Sequence, residues 1–283
     1  MNKCIFIFLC FSIQIFASEQ EFDKNITDVQ TSEYFKKWEH SNFGLKPHLP
    51  NYVLLYGFRD GSYTSYDANS REYTNIEAQL QISLKINVAK DILNLGEKYY
   101  LAYSHRAFWQ IYIESSPFRE TNYNPEAFVV FPILDTTSIF KLHNLIVGYS
   151  HNSNGQGDNG DLVFRSRSVN YMYTTLSLKH DFLITEFTFF APFMGNDLSD
   201  NPDIIDYLGC SEVKFSYFTG KHMFTLRGRG NITTGNGAVE ATYSYPLVND
   251  VHLYGKIFSG YGESLIDYNN YITKFSVGFS FSR

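Results

Sequence analysis

The residues best suited to chemistry lie in 148-GYSHNSNGQGD-158, where His151 and Ser153 stand two apart ahead of a run of Asn, Gly and Asp. A serine hydroxyl becomes a nucleophile when a base takes its proton, and imidazole is the usual base near neutral pH. On a β-strand, residues i and i+2 share a face about 7 Å apart at the backbone, from a rise of about 3.3 Å per residue. Side chains can close that gap. The base needs a third group to fix its tautomer and orientation. Asn170, in 166-SRSVNYMY-173, falls beside His151 if the segments flanking residues 154–168 pair as a hairpin. The competing reading is a polar Asn/Gly turn with no chemistry.

The elements that must position these residues are strands. Leu145, Val147, Tyr149, His151 and Ser153 share one face of a strand over 142–153, opposite Ile146, Gly148, Ser150 and Asn152. Asn170, Met172, Thr174, Leu176 and Leu178 share a face of the next. An apolar row that ends in His and Ser is unusual unless it reaches a polar boundary. The alternation is unbroken in 77-EAQLQISLKINV-88, from Ala78 to Val88 on one face and Glu77 to Asn87 on the other. Such a strand fits a soluble sandwich or a membrane barrel, and its period does not separate them. The C-terminal strand, 272-ITKFSVGFSFSR-283, sets Phe275, Val277, Phe279 and Phe281 against Lys274, Ser276, Gly278 and Ser280. An aromatic alternating strand at the end of an exported chain favours the barrel. Strands are expected at 51–59, 76–89, 98–110, 124–134, 142–153, 169–180, 182–191, 207–219, 222–233, 238–247, 251–261 and 271–282. The fold class expected is all-β, an antiparallel transmembrane β-barrel of about twelve strands.

Composition agrees. Of 283 residues, 18% are charged and 18% aromatic, with 22 Tyr and 26 Phe, where soluble domains average about 25% charged. The net charge of −6 comes without a basic cluster, which excludes a nucleic-acid partner. The N-terminus, MNKCIFIFLCFSIQIFASEQEF, has one lysine, an apolar run and Ala17-Ser18. It reads as a signal peptide over 1–17, too short to span a bilayer. Cys4 and Cys10 leave with it, and the lone Cys210 has no internal disulfide partner. Residues 18–48 read as an N-terminal periplasmic extension and 49–283 as the barrel bearing the site.

Several blocks, 114-ESSPFRETNY-123, 148-GYSHNSNG-155, 166-SRSVN-170, 200-DNPDI-204 and 259-SGYGESLIDYN-269, closely resemble the bacterial outer membrane phospholipase A family. The resemblance covers most of the chain from about residue 50 onward. It implies a twelve-stranded outer-membrane barrel with a Ser–His–Asn triad facing the outer leaflet. Ser153 would be the nucleophile, His151 the general base and acid, and Asn170 the orienting group. It implies hydrolysis of sn-1 and sn-2 acyl esters of phospholipids and lysophospholipids, with Ca2+ as cofactor and a homodimer as the active form. The calcium ligands would be Ser166, the backbone carbonyl of Gln156 and, from the partner chain, Ser115. Asp158 and Asp200 would fall on a second, monomeric calcium site. Three departures stand out: Gln156 replaces an arginine, the loop from Ser153 to Asn170 is longer, and His105 takes the place of a dimer-contact glutamine.

The remaining polar residues have structural readings. Asp203, Glu263 and Asp267 suit strand ends or loops as turn or interior polar groups, and Arg119, Glu120, Arg227 and Arg229 suit a hydrogen-bonded lumen. The functional rivals are a passive porin or adhesin on the same barrel and an outer-membrane protease. The sequence has no carboxylate-rich groove for the latter.

Overall fold

The structure is a computed structural model describing residues 45–61, 63, 73–133, 141–158, 165–193 and 198–282. Its strands are β1 (Leu45–Pro47), β2 (Tyr52–Arg59), β3 (Ile76–Lys90), β4 (Lys98–Trp109), β5 (Phe118–Pro132), β6 (Leu142–Ser153), β7 (Ser168–His180), β8 (Leu183–Pro192), β9 (Ser211–Thr219), β10 (His222–Asn231), β11 (Asn236–Val248), β12 (Val251–Gly260) and β13 (Ile272–Ser280). From β2 onward each strand pairs antiparallel with the next, and β13 returns to pair with β2. Twelve strands therefore close, leaving no free sheet edge in the barrel wall. The short β1 lies along the same edge of β3 as β2, with Leu45 opposite Ile86 while Tyr52 is opposite Gln81. Together β1 and β2 act as one strand interrupted at 48–51, where Pro50 cannot donate to the ladder.

Burial along the strands is the reverse of that in a soluble protein. Ile82 is 57% exposed and Phe275 50%, whereas Glu77 and Lys274 are fully buried. The apolar parity faces outward and the polar parity inward, the arrangement of a barrel whose solvent is lipid. This decides between the two readings of the alternating strands. It also explains the lumen, where each charge must meet a partner because burial of an unpaired ion is costly. Glu77 accepts from Arg119 at 2.9 Å and Lys274 at 2.6 Å, and Arg119 also reaches Asp267 at 2.6 Å. Lys274 further meets Glu263 at 3.2 Å, and Arg227 pairs with Glu240 at 3.2 Å and Glu212 at 3.5 Å. Glu120 is buried among hydrogen-bonding partners, and Arg229 donates to the Leu208 carbonyl at 3.2 Å. The lumen reading of these residues holds.

The two ends of the barrel differ. At one end, two-residue turns at 181–182, 220–221 and 249–250 join strands, with Asp181, Gly220 and Asn249 at φ near +50°. Those residue types tolerate the left-handed region. At the other end lie the longer connections 110–117, 154–167, 193–210 and 261–271. Short turns face the periplasm and long loops the exterior, so β6 ends at Ser153 on the outside.

Some expected boundaries are corrected. β5 begins at Phe118 rather than 124, its opening residues Arg119 and Glu120 lying in the buried interior. The segment expected as a strand over 207–219 begins with the end of a short helix, Ile204–Leu208, and β9 starts at Ser211. Leu45–Pro47 already belongs to the sheet, within the stretch expected as an extension. Residues 1–44, which contain the expected signal and most of that extension, lie outside the described residues.

Candidate active site

β6 and β7 pair so that His151 faces Asn170, Ser153 faces Ser168 and Tyr149 faces Met172. Tyr149 is 38% exposed and Ser150 fully buried, which puts Tyr149, His151 and Ser153 on the outer face. Met172 is likewise exposed between buried Val169 and Tyr173, so Asn170 also faces outward. The hairpin thus brings His151 and Asn170 together, with His151 Nδ1 at 2.8 Å from Asn170 Oδ1. An imidazole donating through Nδ1 keeps the lone pair on Nε2, the state a general base requires. Ser153 follows two residues along the same face, opposite Tyr123 of β5. All three residues are half-buried.

The loop after Ser153 is held from both ends by Asn154, which is almost fully buried. Its amide donates to the Arg165 carbonyl at 2.8 Å, and its Oδ1 accepts from Arg167 N at 3.0 Å and Gln156 N at 3.2 Å. Gly155 follows at φ +63°, where an added Cβ would stand 2.8 Å from the Tyr123 ring. Glycine is required there on both counts.

Four of the expected calcium residues converge on this loop. Ser166 Oγ donates to Asp200 Oδ2 at 2.6 Å. Asp158 Oδ1 accepts from Ser166 N at 3.1 Å and Arg165 N at 2.7 Å. Gln156 is tied to the lumen, its Nε2 donating to Glu120 Oε2 at 3.1 Å. Arg167 adds bonds to the Ser166 carbonyl at 2.7 Å and the Asp200 carbonyl at 3.2 Å. Ser166 and Gln156 offer a hydroxyl and a carbonyl to one expected site, and Asp158 and Asp200 two carboxylates to the other, all hard oxygens of the kind calcium takes. The residues fit that ion. Ser115 is elsewhere, at φ +61° in the β4–β5 connection. Among the described residues it makes no hydrogen bond to the other four within one chain.

The outer loops lock onto this cluster. Ser168 N donates to Asn201 Oδ1 at 2.9 Å, and Tyr268 donates its hydroxyl to Asp203. Burial, and the Asp203 carboxylate beside it, raise the Tyr268 hydroxyl above its ordinary pKa. Glu263 and Asp267, expected as turn or interior groups, are interior ones. His105 faces outward on β4 between Ile82 and Tyr123, its ring edge-on to Tyr123 at 5.2 Å. Three participants escaped the sequence reading. Tyr149 looked like one more apolar-row residue, Asn154 like turn punctuation and Glu120 like generic lumen. Their only sequence signal is adjacency to the His-Ser pair and the lumen parity of β5.

A family model described as Phospholipase A1 matches residues 28–281. Phospholipase A1 of Escherichia coli K12 is 36% identical over 248 residues, covering 85% of this chain and 82% of that protein. Phospholipase A1 of Proteus vulgaris is 34% identical over 252 residues, covering 85% and 82%. Among solved structures, outer membrane phospholipase A from Escherichia coli superposes with a TM-score of 0.76 at 33% identity, over 83% of this chain and 93% of that one. A Salmonella typhi outer membrane phospholipase dimer with bound calcium gives 0.76 at 34% identity, over 85% and 93%.

Proposed function

The chain belongs to the phospholipase A1 family of outer-membrane β-barrel enzymes, and from that premise we propose that it hydrolyses phospholipid and lysophospholipid acyl esters, at sn-1 and sn-2, by a calcium-dependent Ser153–His151–Asn170 triad that is active in a homodimer. The observation that carries this is the 2.8 Å contact between His151 Nδ1 and Asn170 Oδ1 on the lipid-facing side, one strand repeat from Ser153.

Ser153 Oγ attacks the ester carbonyl as its proton moves to His151 Nε2. The imidazolium keeps its Nδ1–H on Asn170 Oδ1, which stabilises the charge and holds the ring. The tetrahedral intermediate collapses when His151 returns the proton to the glycerol oxygen, leaving an acyl ester on Ser153. Water, deprotonated by His151, then attacks that ester, and the proton returns to Ser153 as the fatty acid departs. An amide in place of a carboxylate gives the imidazolium a dipole rather than a full charge.

Ser166 and the Gln156 carbonyl would hold one calcium ion, with Ser115 reaching over from the second copy, and Asp158 and Asp200 would hold a second ion within the monomer. When bound, calcium supplies positive charge near the developing oxyanion, usually a large term in acyl transfer. Its support is the oxygen-only donor set and the clasp of the loop by Asn154. Dimerisation is supported by the outward row Ile82, His105, Tyr123 and Ser153, which lie side by side across β3–β6. A partner covering that row would border the nucleophile, with His105 as its polar contact.

The test is hydrolysis of a short-chain phospholipid by purified protein with calcium, with chelator and as Ser153→Ala. Loss of turnover in the last two, and covalent labelling of Ser153 by a sulfonyl fluoride, are expected. Full activity in the alanine variant would sink the nucleophile assignment. A passive channel is disfavoured by the ion pairs that Arg119 makes across the lumen to Glu77 and Asp267.

A further inference from the structure

The Tyr149 hydroxyl donates to Asn170 Oδ1 at 2.8 Å, the same oxygen that faces His151 Nδ1 at 2.8 Å. We infer, resting on the triad reading above, that Tyr149 is a positioning residue: its hydroxyl selects the orientation of the Asn170 amide that presents oxygen to His151. An asparagine amide has an accepting and a donating end, and its terminal torsion has two broad wells. Only one well lets His151 keep its proton on Nδ1 and its lone pair on Nε2. In the other, the amide donates to Nδ1 and forces the proton onto Nε2, the wrong atom for a base. A carboxylate has no such ambiguity, so a triad built on asparagine needs something to break the tie.

The local structure supplies it. Tyr149 pairs with Met172, which makes Asn170 its diagonal neighbour across the β6–β7 ladder, within reach of a long aromatic side chain. The Tyr149 ring stacks on Phe193 with centroids 6.0 Å apart, and Phe193 N donates to the Asn170 backbone carbonyl at 2.9 Å. Phe193 therefore ties the tyrosine ring and the asparagine backbone together, fixing where the hydroxyl falls. A phenol oxygen shares its lone pair with the ring, so it donates more readily than it accepts. The amide oxygen is its preferred partner. Oδ1 has two lone pairs, one for each donor.

The experiment measures Tyr149→Phe in three backgrounds: the natural chain, Asn170→Asp and Asn170→Ala. Phenylalanine keeps the stack on Phe193 and removes only the donor. In the natural chain kcat is expected to fall about three- to tenfold with KM unchanged, the size of one net hydrogen bond. In Asn170→Asp the fall disappears, because both oxygens accept. In Asn170→Ala there is no amide left to orient and no further fall occurs. The rate of Ser153 labelling by a sulfonyl fluoride should follow the same pattern, giving a readout where turnover is slow. Placing 4-aminophenylalanine at position 149 restores a donor and should restore most of the rate in the natural chain.

An equal loss in all three backgrounds, or a loss confined to KM, would mean that Tyr149 serves lipid contact or stability and would overturn the inference. No loss in the natural chain would overturn it as well. Failure of the triad reading looks different: Ser153→Ala would then remain active and unlabelled protein would turn over, whatever happens at position 149.

Discussion

Replacing Asn170 by alanine removes one hydrogen bond whose worth changes during the reaction. In the resting enzyme the 2.8 Å contact joins a neutral imidazole to a neutral amide, worth about 0.5–1.5 kcal/mol net. On the proposed mechanism His151 takes the Ser153 proton, and the same contact then joins an imidazolium to the amide, worth about 1.5–3 kcal/mol. Only the difference, about 1–2 kcal/mol, accelerates the chemical step. At 1.36 kcal/mol per decade that is about 5- to 30-fold in kcat, and lost ring orientation adds to it. KM should change little, since neither residue binds the acyl chains. The assay is initial-rate hydrolysis of a short-chain phospholipid at saturating calcium, with Ser153→Ala as the floor. Asn170→Asp should keep most of the rate, because a carboxylate preserves the acceptor and adds charge. The reasoning is refuted if Asn170→Ala retains full kcat, or if it falls to the Ser153→Ala floor, which would mean that Asn170 does more than orient and polarise.

Asp200→Asn weakens the carboxylate that accepts from Ser166 Oγ, and about a tenfold higher calcium concentration is expected for half-saturation, read by terbium luminescence or calorimetry rather than by turnover. Glu77→Gln leaves Arg119 and Lys274 facing a neutral group inside the lumen. Removing one member of such a buried set costs about 3–5 kcal/mol, seen as a lower unfolding temperature in detergent with the Asn170–His151 pair untouched. At the periplasmic end, burial works to raise the Glu97 carboxyl, but bonds from Leu93 N, Leu95 N and the Tyr99 hydroxyl outweigh it and hold the pKa below its ordinary 4.5. A carboxyl depressed in the folded state stabilises above its unfolded pKa, so the 91–97 turn should lose amide-exchange protection at Leu93 and Leu95 as pH falls below about 4.5.

The barrel was legible because its strands carry the signal twice, once as period-two alternation and once as aromatics on the apolar parity. The strand over 142–153 is recovered with the bounds expected, since its apolar row is uninterrupted up to His151. The start of β5 was hidden because Asn122, Asn124 and Pro125 read as turn residues, although the strand runs through them from Phe118. The helix Ile204–Leu208 was hidden for another reason. It is five residues long, its Asp203 N-cap makes no side-chain capping bond to the helix, and it packs on loop residues Leu198, Leu265 and Tyr268 rather than following a face of its own. The His151–Asn170 pairing was within reach because a hairpin register is a local property. Tyr149 and Asn154 were not, since their roles depend on where amide oxygens point, and no residue pattern encodes that.

The depth of the site along its strand bears on the substrate as much as its residues do. A polar group facing hydrocarbon without a partner is costly, yet here the exposed members satisfy one another, Tyr149 and His151 both bonding to Asn170. Below them on the same face run Val147 and Leu145, and above them begins the polar loop held by Asn154. A phospholipid presents its groups in the same order, with acyl chains deepest, then the ester, then the charged headgroup. A molecule lying against β6 with its chains along Leu145 and Val147 would place its ester at the level of Ser153 and its phosphate near the residues proposed to hold calcium. A soluble ester has no chains to set that depth. Tails should therefore contribute through binding along the barrel wall, so shortening the acyl chains is expected to raise KM steeply while kcat for bound ester changes less. A polar substitution such as Val147→Asn should mimic that effect on long-chain substrate alone. Equal effects on long- and short-chain esters would show that the wall below the triad does not set the register of the substrate.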